Sequence, residues 1–129
     1  MLNIKCIVCN MMQENCYIVI IDCGAFYENE RQAVVEYICK NELMPKHLVA
    51  THGHIDHIFG NNTIYDTFKL KLEVHIADKF LIMQAALQAE QITGIRLEYA
   101  MPPIGKYLTD KDVIVFGSHI FTIIETPGH

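Results

Sequence analysis

The sequence predicts an α/β layered domain built on a mixed sheet, and three observations carry that expectation. Short runs rich in Ile, Val, Cys and Tyr alternate with segments whose apolar residues recur at helical spacing. Near the C-terminal end, two apolar runs flank Gly117-Ser118, the signature of a hairpin. The chain has 129 residues, 51% hydrophobic and 19% charged, which suits a single domain, residues 1–129, with its own core.

Taken in order, residues 4–9 and 16–22 read as strands, the second ended by Gly24. Asn29 starts a helix, with Gln32 three residues on as in a capping box. Ala33, Val34, Tyr37 and Ile38 form its apolar stripe. Pro45 ends the following connection, and HLVA (47–50) is a short buried strand. Asn61 or Asn62 caps a helix carrying Ile64, Tyr65 and Phe68 on one face. LEVHIA (72–77) is a strand. Asp78 caps a longer helix through about Gln91, with Phe80, Met83, Leu87 and Gln91 sharing a face. Residues 93–107 form a loop broken by Pro102, Pro103 and Gly105. The hairpin of 112–126 closes the series.

Composition narrows the partners. Net charge is −5 and no Lys/Arg cluster stands out, which argues against a nucleic-acid partner. No apolar run approaches the ~20 residues of a membrane span, so no membrane partner is expected. MLNIKCIVCNMMQEN lacks the uninterrupted apolar segment and cleavage site of a signal peptide, so a cytoplasmic location is expected. Five Cys without a dense framework read as thiols in a reducing compartment. Cys6-x-x-Cys9 sits in a strand rather than at a helix N-terminus, so it reads as structural.

The chemistry concentrates in THGHIDH, residues 51–57. In an extended segment residues i and i+2 point the same way, so His52 and His54 face one point. Gly53 between them offers no obstruction and permits unusual backbone angles. A turn after them swings Asp56 and His57 alongside. Imidazoles and a carboxylate are the donor set of zinc, iron or manganese, and a loop just after a strand is where α/β sheets place their sites. At the far end, FTIIETPGH delivers His129 to the end of another strand. His52, His54 and His129 would leave a fourth position open for a water of lowered pKa, and Asp56 either begins a second metal site with His57 or orients the attacking water. His47, His75 and His119 are read as ordinary surface or core residues.

These motifs resemble the metallo-β-lactamase superfamily: Thr51–His57 followed by Gly60-Asn61, then Thr126-Pro127-Gly128-His129, with QENCYIV and IIDCGA like its opening strands. The style is most similar to the hydroxyacylglutathione-hydrolase-like branch. The resemblance implies an αββα sandwich with the site on one edge. It further implies a first metal on His52, His54 and His129, a second involving Asp56 and His57, and Asp22 as a residue behind the metals. The superfamily continues past its third metal histidine with a bridging aspartate, a final histidine and the second half of the sandwich. It also has a turn between two strands that NCYIVIIDCG runs together. The expectation is therefore a partial domain, mainly the N-terminal half, with residues missing near Val19–Ile20 and after His129. Half a sandwich should expose an apolar sheet face that drives homodimerisation, and on its own should hold at most one metal weakly with little turnover.

The expected function is metal-dependent hydrolysis of a small ester or thioester by attack of metal-bound hydroxide, with zinc, one or two ions, as the cofactor. The alternatives are a mononuclear-iron persulfide dioxygenase and a non-catalytic metal-binding or interaction fragment.

Overall fold

The computed structural model describes residues 3–6, 16–97 and 99–128. Residues 7–9 of the first expected strand, Cys9 and His129 lie outside them.

Five strands form one sheet in sequence order: β1 (Asn3–Cys6), β2 (Cys16–Ile21), β3 (Leu43–Val49), β4 (Leu72–His75) and β5 (Ile104–Leu108). β1 runs antiparallel to β2, and the remaining pairs are parallel. In β2 the side chains of Ile18, Val19 and Ile20 are all fully buried. Alternation explains how: Ile18 and Ile20 face one layer and Val19 the other, so both faces are covered.

On the first face lie the helices α1 (Glu28–Lys40), α2 (Asn61–Phe68), α3 (Lys79–Met83) and α4 (Ala85–Gln88). Val34, Ile38, Ile64, Ile82 and Ala85 from these helices pack on Ile18, Ile20, Leu48, Leu72 and Val74. On the second face lies an antiparallel hairpin, β6 (Val113–Phe116) and β7 (His119–Thr122), turning at Gly117-Ser118 as expected. Its Ile114 and Phe116 pack on Val19, Val49 and Leu108. The sheet face expected to lie open is thus covered. Open apolar surface lies instead on the hairpin's outer side, at Val113, Val115 and Ile120, and on the helices at Phe80, Met83 and Leu87.

Several sequence expectations need correction. Helix α1 begins one residue early, and Glu30 rather than Gln32 reaches back, accepting from the Phe26 and Tyr27 N–H groups at 3.0 and 3.1 Å. Of its expected stripe only Val34 and Ile38 are buried; Ala33 and Tyr37 face solvent. Pro45 lies inside β3 rather than ending a loop. A proline has no N–H to donate, and the register against β2 slips just after it, Ile18 pairing Pro45 and Val19 pairing His47. Lys46 is the extra, bulged residue. β2 itself runs without a turn through Val19–Ile20.

Strand β4 ends at His75, and a 3-10 turn, Ile76–Asp78, replaces its last expected residues. The expected helix 78–91 is broken: α3 and α4 are separated by Gln84 in a non-helical conformation, and a π-helical turn, Ala89–Thr93, follows. Its inner face is also not the expected one. Ile82, Ala85, Gln88 and Ala89 are buried, while Phe80, Met83 and Leu87 are exposed. Residues 104–107, expected as loop, form with Leu108 the edge strand β5, in which Gly105 is a bulge against β4. A Cβ on Gly105 would stand 2.5 Å from Lys71 Cβ, so the close approach explains the glycine.

His47, expected as an ordinary surface or core residue, bridges two strands and the hairpin. From β3 its Nδ1 lies 2.5 Å from Glu73 Oε2 on β4, and its Nε2 lies 2.7 Å from the Val115 carbonyl on β6. Both neighbours are acceptors, so the imidazolium satisfies both while tying the hairpin to the sheet. Hydrogen bonding to Glu73 is the main cause of a raised His47 pKa; partial burial and Lys106 oppose it, and the Val115 carbonyl and the Glu73 charge add to it. A raised folded-state pKa means the stabilisation is fully present below the unfolded value of ~6.5 and is lost as pH rises through the folded value. Thermal unfolding followed from acid to alkaline pH should therefore show a stability decline that begins above the unfolded value of ~6.5 and that His47→Gln abolishes; identical profiles for the two proteins would refute this tether.

Candidate metal centre

The THGHIDH segment leaves the sheet at the carboxyl end of β3, and Asp22 leaves it at the carboxyl end of the adjacent β2. The ladder continues one step past the strands: Asp22 N–H donates to the Val49 carbonyl at 2.9 Å, and Ala50 N–H to the Glu73 carbonyl at 3.1 Å. This brings Asp22 beside Thr51. At φ 53° Asp22 is in the left-handed region, which Asp tolerates better than most residues.

The Asp22 carboxylate is 5% exposed and fully engaged. Its Oδ1 accepts the Thr51 N–H at 2.7 Å, and its Oδ2 accepts the Thr51 hydroxyl at 2.7 Å. The same Oδ2 lies 3.1 Å from His57 Nδ1. Thr51 Oγ1 is in turn 3.0 Å from His52 Nδ1. With its proton given to the carboxylate, Thr51 Oγ1 can only accept, so His52 Nδ1 carries the hydrogen. His57 Nδ1 carries one for the same reason. In neutral rings that puts the lone pair of each histidine on Nε2, the atom through which it would ligate a cation. One carboxylate thus sets the tautomer of two imidazoles, His57 directly and His52 through a hydroxyl.

The three rings are neighbours. His52 stands edge-on to His54, centroids 4.7 Å apart, and 4.2 Å from the His57 ring. The Nε2 of His52 is withdrawn from solvent. Asp56, in the 3-10 turn Ile55–His57, is largely exposed, with Oδ2 3.5 Å from His57 Nε2. Among the described residues no three His, Cys, Asp or Glu side chains converge closely enough to hold an ion by themselves. The donor chemistry and the tautomers fit a divalent metal; the closed three-histidine set expected from sequence also requires His129, which lies outside the described residues.

Gly53 does not use a left-handed conformation; its role is clearance. A Cβ there would stand 2.8 Å from Leu81 Cβ and 3.1 Å from the Asp78 carbonyl. Further on, Gly60 N–H donates to the Cys23 carbonyl at 2.8 Å, and a Cβ on Gly60 would stand 2.6 Å from Cys23 Sγ. Burial pushes the Cys23 thiol up to about 11, so it packs as a small hydrophobe.

Sequence reasoning missed three residues that shape this loop. Thr51 relays Asp22 to His52. Asp78, expected as a helix cap, makes no side-chain cap bond and accepts the Gly53 N–H instead, at 3.3 Å. Gln88, buried, hydrogen-bonds the loop from α4. A polar residue on an otherwise apolar buried helix face was the available signal for Gln88. Of the other histidines, His75 Nε2 meets Glu125 Oε1 at 2.8 Å, and His119 is exposed on β7 beside Phe116.

A mixed sheet carrying a His-x-His-x-Asp-His loop at its strand ends defines an α/β domain with a candidate metal-binding loop. The chain belongs to the metallo-beta-lactamase superfamily, whose family model matches residues 10–129. It is 30% identical over 134 residues to an uncharacterised protein of Mycobacterium tuberculosis, covering 89% of this chain and 56% of the relative. It is also 30% identical over 100 residues to a hydroxyacylglutathione hydrolase of a Chelativorans species, covering 78% of this chain and 32% of that enzyme. Among solved structures, the BLEG-1 B3 metallo-beta-lactamase superposes with a TM-score of 0.77 at 23% identity, over 98% of this chain and 57% of that one. The di-iron-bound form of TTHA1623 superposes at 0.62 and 23%, over 84% and 50%. The chain therefore spans about half the length of the mycobacterial relatives it matches, and it carries the corresponding part of the superfamily fold. Among the described residues no helix is long and apolar enough to cross a membrane.

Proposed function

We propose that this chain supplies the first metal-binding half of a hydrolase acting on an ester or thioester, of the hydroxyacylglutathione kind. The observation that carries the reading is the Asp22–Thr51–His52 and Asp22–His57 arrangement, in which one buried carboxylate directs the ring hydrogens of both histidines to Nδ1. Similarity to a hydroxyacylglutathione hydrolase supports the thioester class. His52, His54 and His129 would hold the first ion and Asp56 with His57 would serve a second; zinc suits the donors, and iron or manganese would be accepted by the same set. When bound, the metal would acidify a water and polarise the acyl carbonyl. The Asp56 carboxylate, exposed beside His57, would orient that water by accepting a hydrogen bond from it.

The test is hydrolysis of a hydroxyacylglutathione thioester and of a simple aryl ester by the full natural polypeptide, with and without added zinc. Metal-dependent cleavage that disappears in Asp56→Asn supports the proposal. Failure of both substrates with a metal-loaded protein, or consumption of oxygen with a glutathione persulfide under iron, would replace it.

A further inference from the structure

We infer that Gln88 is a positioning residue for the histidine loop, its buried side-chain amide fixing the backbone on both sides of His54. The inference rests on the metal-site reading for its consequence, but its geometry stands alone. Gln88 Nε2 donates to the Gly53 carbonyl at 3.2 Å, and Gln88 Oε1 accepts the Ile55 N–H at 3.3 Å. The Gly53 carbonyl belongs to the peptide group before His54, and the Ile55 N–H to the peptide group after it. One amide therefore holds both peptide planes that flank the His54 Cα, and with them its φ of −67° and ψ of 141°.

The amide is itself anchored. Its Nε2 also donates to the Leu81 carbonyl at 2.6 Å. Two carbonyls on one side and an N–H on the other leave only one orientation for the group, so its nitrogen and oxygen are assigned by their partners. The break between α3 and α4 at Gln84 contributes to this. Leu81's carbonyl there takes the Gln84 N–H at 3.2 Å and retains a lone pair for Gln88. Asp78 holds the Gly53 N–H from the same side, and Gly53 has no Cβ to keep it off α3.

Simple core filling does not explain a glutamine here. Its buried neighbours Ala85 and Ala89 are small and apolar, and a buried amide is tolerated only where it is hydrogen-bonded. Asp22 sets which ring nitrogens carry the hydrogen; Gln88 fixes where the His54 ring starts from. Ligands held before the ion arrives need less ordering on binding, and loss of such outer partners typically weakens metal affinity about 10- to 100-fold.

The experiment compares the full chain with Gln88→Met, which keeps length and apolar volume but none of the three bonds. Zinc affinity is read by competition with a chromophoric chelator, and amide hydrogen exchange is followed at Ile55 and, as a reference for the core, at Val74. The expected result is faster exchange at Ile55 with Val74 unchanged, and zinc affinity lower by about 10- to 100-fold. Unchanged Ile55 exchange with wild-type zinc affinity would overturn the inference. Should the unsubstituted chain bind no zinc, the metal-site reading fails, while Ile55 exchange still reports whether Gln88 holds the loop. A Gln88→Met chain that does not fold leaves a direct reading in the unsubstituted protein: slow solvent exchange of the Gln88 side-chain NH2 protons supports the inference, and rapid exchange overturns it.

Discussion

Replacing Asp22 with alanine should cost the fold about 2–4 kcal/mol, combining an unsatisfied buried donor with a non-glycine residue lacking a polar side chain in the left-handed region. The Thr51 N–H would lose its acceptor, and the Thr51 hydroxyl and His57 Nδ1 would lose theirs. Urea unfolding measures the cost directly. The more informative companion is Asp22→Asn. Asparagine tolerates the same φ and keeps an oxygen for the Thr51 N–H, so its stability loss should be the smaller. Its Nδ2, however, is a donor where Oδ2 was an acceptor. It would push a lone pair onto His57 Nδ1 and shift the hydrogen to Nε2, the atom needed for metal. Nitrogen-15 shifts of the imidazoles should show that exchange of tautomers, and zinc affinity should fall despite a folded chain. Equal zinc affinity in Asp22→Asn and wild type would remove Asp22 from the account.

The second large effect concerns the imidazoles themselves. His52→Ala and His54→Ala should each weaken zinc binding by more than the roughly 10- to 100-fold typical of an outer partner, because each removes a direct donor. His119→Ala is the matched control: it removes an exposed imidazole on β7 and should leave affinity unchanged. Calorimetric titration of the three variants separates ligation from nonspecific binding. If the control weakens binding as much as the other two, zinc is simply binding surface histidines.

What the sequence made legible follows from which signals are local. β2 and the core end of β3 were readable because continuous β-branched runs have few other uses, and the hairpin because Gly117-Ser118 sits between two apolar runs. The histidine loop was readable because its donors are consecutive. β5 was hidden by Pro102, Pro103 and Gly105, which read as breakers; the two prolines lie just before the strand, and the glycine is a bulge accommodating Lys71. The face of α3 and α4 was misread because Phe80, Met83 and Leu87 are the larger apolar residues, yet it is Ile82, Ala85 and Ala89 that join the buried core. Gln88, Thr51 and His47 act across 33, 29 and 68 residues of sequence respectively. Polar side chains that bond at such separations leave no periodic trace, so only the folded arrangement discloses them.

The central claim is that Asp22 and the THGHIDH loop together make a histidine metal site. Cobalt titration of the folded chain tests it most directly, since cobalt(II) reports its own coordination by visible absorption and stands in for zinc. The expected result is saturable binding with the absorption of a low-coordinate, nitrogen-rich site, lost when His52 and His54 are both replaced by alanine. Absence of saturable binding, or an unchanged spectrum in that double variant, would contradict it.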